Sequence, residues 1–238
     1  MRVDEDGRPA ARRLLAHPRH TAVLIAILLV AALAGAWLQR RPGPGAGIAE
    51  EHRGAIGIYL MAMALDWALF LYTWVFVRKG GTRLRDLVGG SWSPKSIALD
   101  VAIALPFWIV WEWTARVMHG LLGPSTARTV DILLPRTSLE MAVWIAVSVT
   151  AGFCEEAVFR GYLQRQFHAL TGNAAIAVLA QAALFGIAHG YQGIKNALVI
   201  TVLGLLYGLL ALGRGNLRPG MIAHAWSDLY AGLPIRLF

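Results

Sequence analysis

Two adjacent carboxylates, Glu155 and Glu156, stand in the stretch Gly152–Gly161, with Arg160 four residues after the second. The sequence around them is otherwise apolar. A charge at bilayer depth costs about 2.5–3.5 kcal/mol on insertion scales and by default marks a functional site. Residues four apart share a helix face, so Glu156 and Arg160 can form a buried ion pair. Glu155 points about 100° away. One carboxylate can be held ionised by the arginine while the other faces a cavity, available as a general base or acid. The bland alternative is a structural ion pair with a spare glutamate.

Two histidines extend the set. Phe185 and His189 are four apart, as are His224 and Asp228. The turn Thr171-Gly172-Asn173 is centred on Gly172, with Glu155 17 residues before it and His189 17 after it. If the flanking segments form an antiparallel helical hairpin, Glu155 and His189 sit at one level and can jointly polarise a water. The same arithmetic does not bring His224 level with His189; that needs a short, deeply set or tilted last helix. Asp66, Asp100 and Glu112 could line a cavity but are isolated in the sequence. Cys154 has nothing that marks it as a nucleophile. His168 is expected on a polar face with Gln164 and Arg165. Gly204 and Gly208 read as a close helix-packing face.

The elements that must carry these residues are membrane helices. Of 238 residues, 57% are hydrophobic and 15% charged, against about 45–50% and 25% in soluble domains. The apolar runs are continuous and do not alternate, which excludes a barrel. The expected fold is an all-α polytopic transmembrane bundle of about 7 spans (range 6–8), each of ~20 apolar residues. Residues 1–20 form a basic N-terminal segment, 21–136 the N-terminal transmembrane helices, and 137–238 a catalytic transmembrane domain. The first apolar run is read as a retained helix and not as a cleaved signal peptide. Pro42-Gly43-Pro44-Gly45 reads as a loop, and Pro106 as a kink in the third span. The net charge of +8 is assigned to loop arginines, not to nucleic-acid binding. On alternate sides of the spans lie 14 and 8 Lys and Arg residues. The excess puts the N-terminus in the cytoplasm of a multi-pass inner (plasma) membrane protein. Glu155 is then about 25 Å from the Gly172 turn at 1.5 Å per residue. That depth and the charge count agree only if 161–170 extends beyond the bilayer or the helix breaks near Gly152. The single cysteine excludes an intrachain disulfide.

Glu-Glu-x-x-x-Arg, Phe-x-x-x-His and His-x-x-x-Asp, in that order at intervals of about 34 residues, resemble the CPBP intramembrane proteases. This family includes the type II CAAX prenyl endopeptidases. Phe159-Arg160-Gly161-Tyr162-Leu163 adds to the likeness, which covers about Ala151 to Leu229. The resemblance implies a glutamate-dependent intramembrane endopeptidase. Its substrate would be a membrane-associated protein or peptide precursor, cut near its C-terminus. Glu155 would be the general base, assisted by His189, with Glu156, Arg160 and Phe185 supporting the site. His224 and Asp228 would stabilise the oxyanion. Prenyl endopeptidases carry Asn at the last position. An ionised Asp228 cannot donate to an oxyanion, so it would orient His224 or be itself protonated.

Metal-free catalysis is the expectation. A zinc site of Glu155, His189 and His224 is the alternative, although no His-Glu-x-x-His signature is present. Two other readings compete: a catalytically silent scaffold or immunity factor of the same fold, and a proton-coupled transporter. The intact Glu155, His189 and His224 set speaks against the first. The absence of paired broken spans speaks against the second.

Overall fold

A computed structural model describes residues 13–39, 54–123 and 133–233. The basic residues 1–12, the Pro42–Gly45 loop and the centre of the 119–137 loop lie outside them. The described residues form eight helices: α1 (Pro18–Gln39), α2 (Ala55–Lys79), α3 (Leu84–Val88), α4 (Pro94–Leu122), α5 (Ser138–Thr171), α6 (Ala174–Ala188), α7 (Ile194–Arg214) and α8 (Arg218–Ala231). No strand occurs among them. Helices α1, α2, α4, α5 and α7 are long and apolar enough to cross a membrane, and α6 is a shorter apolar helix. The protein is an all-α multi-pass membrane bundle.

Local sequence explains the helix ends. Thr137 and Glu140 form a capping box at the start of α5, satisfying two backbone donors reciprocally. Gly172, at φ 74°, ends α5 in the left-handed conformation, which a side chain would oppose. Asn173 then caps α6 through the Ala175 and Ile176 amides. Helix α4 runs through Pro106 as one element.

Helix α5 organises the bundle. It is α-helical over Ser138–Glu155, π-wound over Glu156–Gln164 and α-helical again over Arg165–Thr171. It does not break near Gly152. Its 34 residues span about 51 Å. Fitting that length into a ~30 Å hydrocarbon core would need a tilt of about 54°, beyond the usual 0–40°. The end carrying exposed Arg165 and His168 therefore projects past the core. Three contacts secure it. Buried Gln166 accepts from the Leu15 amide at 2.9 Å and donates to the Ala16 carbonyl at 2.7 Å. Arg165 donates to the Asp86 carbonyl of α3 at 3.0 Å. The Tyr162 and Thr21 hydroxyls meet at 2.9 Å. Gln164 is buried, so the expected polar face of Gln164, Arg165 and His168 keeps only its last two members.

Helix α8 has only 14 residues, about 21 Å, too short to cross the core. It starts inside the protein, where Leu217, Arg218, Pro219 and Gly220 are buried. Asp100 of α4 explains the depth. Its carboxylate is fully buried and accepts from Arg214 at 2.9 Å, Asn216 at 3.2 Å and Arg218 at 2.6 Å. Arg218 also donates to the Ser91 carbonyl at 2.7 Å and lies over the Trp92 ring. Asp100, isolated in the sequence, is thus the anchor of the α7–α8 connection. Removing one partner of a buried ion pair strands the other and costs about 3–5 kcal/mol. Asp100→Ala should lower the thermal unfolding midpoint of the detergent-solubilised protein accordingly. An unchanged midpoint would remove Asp100 as the anchor.

Candidate active site

Three glycines set the spacing around the carboxylates. At Gly152 a Cβ would come within 2.7 Å of the Met221 carbonyl and 3.0 Å of the Ala225 nitrogen. The backbone of α8 therefore lies directly on α5, one turn before the glutamates. At Gly204 a Cβ would approach the Ala182 Cα to 3.2 Å, and at Gly208 the Gln181 Nε2 to 2.5 Å. These two bring α7 onto α6 and α5, as small residues do between membrane helices.

The two carboxylates occupy different surroundings. Glu156 is buried, and its Oε1 accepts from Arg160 Nη1 at 2.9 Å. The same oxygen lies 3.1 Å from His224 Nδ1. Arg160 is equally buried. Its guanidinium lies 4.2 Å from the Phe185 ring centre and 5.0 Å from that of Tyr207, and it donates to the Gly204 carbonyl at 3.4 Å. Gln181 donates to the same carbonyl at 3.0 Å. A buried charge is tolerable when it is paired; Arg160 has Glu156 and the Gly204 carbonyl as partners, while its Nε makes no hydrogen bond.

Glu155 faces the other way and is partly exposed, at 17%. Its Oε2 lies 3.9 Å from His189 Nε2 and 3.7 Å from His224 Nε2, and makes no hydrogen bond. His189 Nδ1 is 2.8 Å from the Phe185 carbonyl. A carbonyl only accepts, so Nδ1 carries the proton and a neutral ring turns its Nε2 lone pair to Glu155. His224 likewise carries a proton at Nδ1, because Glu156 is held ionised by Arg160 and accepts there. Polar atoms 3.7–3.9 Å apart are the spacing at which a bridging water is expected. The arrangement can hold a water between a carboxylate oxygen and imidazole nitrogens and take its proton.

The hairpin of α5 and α6 does bring Glu155 and His189 together. The short, deeply set α8 brings His224 to the same oxygen. Asp228 shares the face of His224, as expected from their spacing, but meets its other nitrogen. Its Oδ2 is 3.8 Å from His224 Nε2, so the carboxylate that orients His224 through Nδ1 is Glu156. Asp66 was expected only as an isolated acid that could line a cavity, and Tyr207 was missed. Asp66 of α2 lies within electrostatic reach of Glu155, His224 and Asp228, because Trp67 and Phe70 pack on Phe153 at 5.9 and 5.0 Å between ring centres. Its charge in an apolar run was the available signal, without anything to attach it to α5. Tyr207 stacks on His224 and had no signal beyond helical spacing from Gly204 and Gly208. Cys154 is buried beside the site. Among the described residues no group of three or more His, Cys, Asp or Glu side chains is arranged to hold a metal ion.

A multi-pass bundle that gathers two glutamates and two histidines around one unbonded carboxylate oxygen is built like an intramembrane hydrolase. Residues 137–230 match the family model described as Type II CAAX prenyl endopeptidase Rce1-like. This segment, which holds α5 to α8, is thus similar to the CAAX-type intramembrane endopeptidases. No curated protein and no solved structure matches the chain.

The Gly152 contact yields a test. Gly152→Ala must push α8 off α5 by several tenths of an ångström, an overpacking that costs about 1–3 kcal/mol. The variant should melt earlier and lose peptidase turnover, since His224 moves with α8. Wild-type turnover with an unchanged melt would mean that the close approach is not required.

Proposed function

We propose that the protein hydrolyses a peptide bond near the C-terminus of a membrane-associated protein or peptide precursor, with Glu155 as general base. One observation carries this reading: Glu155 Oε2 is buried, without a hydrogen bond, between the Nε2 atoms of His189 and His224. A water held by Oε2 and His189 Nε2 gives one proton to Glu155 as its oxygen bonds to the scissile carbonyl carbon. His224, charged and held by Glu156 at Nδ1, donates its Nε2 proton in a hydrogen bond to the oxyanion. The C–N bond then breaks, and the proton on Glu155 passes to the leaving amine. Asp228, 3.8 Å from the same Nε2, supports the imidazolium as an acceptor. Arg160 keeps Glu156 ionised, and Phe185 backs Arg160 and, through its carbonyl, His189.

The proposed reaction needs no metal. Glu155, His189 and His224 would be the ligands if one were needed. The proposed location is the plasma membrane, with the N-terminus in the cytoplasm. Arg13, Arg78, Lys79, Arg83, Arg85, Lys95, Arg165 and Arg214 all belong to the ends of helices or loops on one face of the bundle. Such an excess marks the cytoplasmic side.

Reconstituted protein and fluorogenic peptides ending in a cysteine-led tetrapeptide, with and without a farnesyl group, test the reading. Glu155→Gln should lower turnover by about 10²–10⁴, and His189→Ala by at least tenfold, with wild-type melts. Cleavage by folded Glu155→Gln at the wild-type rate sinks the mechanism. A second measurement addresses the metal. Activity should survive 1,10-phenanthroline; loss that zinc restores would move the three residues to the role of ligands.

A further inference from the structure

His224 is held by one hydrogen bond, from Nδ1 to Glu156. A single bond fixes a point and leaves the ring plane free to swing about the Nδ1···Oε1 axis. A swing carries Nε2 away from Glu155. The plane is restrained by rings. Tyr207 of α7 stacks on His224 with centroids 5.3 Å apart and planes 25° apart. Phe185 meets the same imidazole edge-on, at 6.0 Å and 89°. Tyr207 is itself immobilised: it is 1% exposed, and Phe107 and Trp111 of α4 lie 5.2 and 6.4 Å from it. Its ring also faces the Arg160 guanidinium at 5.0 Å. One ring therefore contacts both groups that bind Glu156 Oε1. Its hydroxyl makes no hydrogen bond of ordinary geometry, with Ser227 near it, so the ring face is the part in use.

We propose that Tyr207 is a positioning residue for the hydrolysis: its ring face holds the His224 imidazole in the plane that keeps Nε2 turned to Glu155. The proposal rests on the role given above to His224. Tyr207 touches neither Glu155 nor the reacting bond and acts through the histidine. Misplacement of a catalytic group by about 1 Å can cost up to 10²-fold in rate, and loss of alignment after binding appears in kcat and not in KM.

The test uses the full chain in detergent or liposomes. Tyr207→Leu removes the ring. It should lower kcat by about 10- to 100-fold and leave KM within about twofold. Nitrogen-15 NMR of histidine-labelled protein should show the His224 Nε2 signal passing from one sharp line to a broadened or split one, as the ring takes more than one orientation. Tyr207→Phe, which keeps the ring, should restore both the rate and the single sharp line. If Tyr207→Leu does not fold, Tyr207→Met replaces it at closer volume. Wild-type kcat with a single sharp Nε2 line in the ringless variant overturns the proposal. So does an equal loss in Tyr207→Phe, which would assign the effect to the hydroxyl. Glu155→Gln separates this from the underlying reading: if that variant still cleaves, the glutamate mechanism fails, whereas the histidine spectra of the Tyr207 series answer the positioning question without turnover.

Discussion

One oxygen ties the bundle together. Glu156 Oε1 accepts from Arg160 on its own helix and from His224 on α8. Without Arg160, the carboxylate would be a lone buried charge, which a low-dielectric interior expels or neutralises. With Arg160, it stays ionised and can accept from His224. The pair therefore does more than cancel charge. It holds His224 Nδ1 on Glu156, and so leaves Nε2 facing Glu155. Adjacent glutamates on one helix can do different work because the first is partly exposed beside His189 and the second is buried against α7 and α8.

Arg160 needs support of its own, and the sequence supplies it in small residues and rings. Gly204 gives its carbonyl to Arg160 and Gln181 and admits Phe185 at close range. Gly208 makes room for Gln164 and Gln181, and its carbonyl accepts from Gln164. Glu156, Arg160 and Gln164 succeed one another every four residues along α5. They form a polar seam between α5, α6 and α7, with Phe185 and Tyr207 covering the guanidinium faces by cation–π contact. In hydrocarbon, polar groups like these must find partners inside the protein, so the seam fixes the relative depth of three helices.

Much of this was legible in the sequence. The spans follow from continuous apolar runs, the α5–α6 hairpin from Gly172 and Asn173, and the Glu156–Arg160 pair from i,i+4 spacing. The level of Glu155 and His189 follows from counting residues to the turn. What was not legible depends on contacts between distant segments. The π-wound stretch from Glu156 to Gln164 has no sequence signature, although such winding occurs often at functional sites. Asp100 reads as an isolated acid until Arg214, Asn216 and Arg218, more than 110 residues later, close on it. Asp66 reads the same way until aromatic packing brings α2 to α5. The assignment of His224 to Glu156 instead of Asp228 needed the ring's orientation, which spacing along α8 cannot give.

The depth of the site follows from the same anchors. Asp66, near the site, is 11 residues after the start of α2 and 13 before its end, close to the middle of a helix of membrane-spanning length. Asp100 is six residues into α4, about 9 Å, and His224 is six residues into α8, about as far again. A helix that began at the membrane surface would carry a histidine six residues in only about 9 Å down. Starting α8 on a buried aspartate roughly doubles that depth. The cost is the burial of Asp100 and Arg218, and it is offset because Asp100 satisfies three donors at once. A short final helix hung from a buried carboxylate is thus how the chain brings a residue near its C-terminal end to glutamates in the middle of a 51 Å helix.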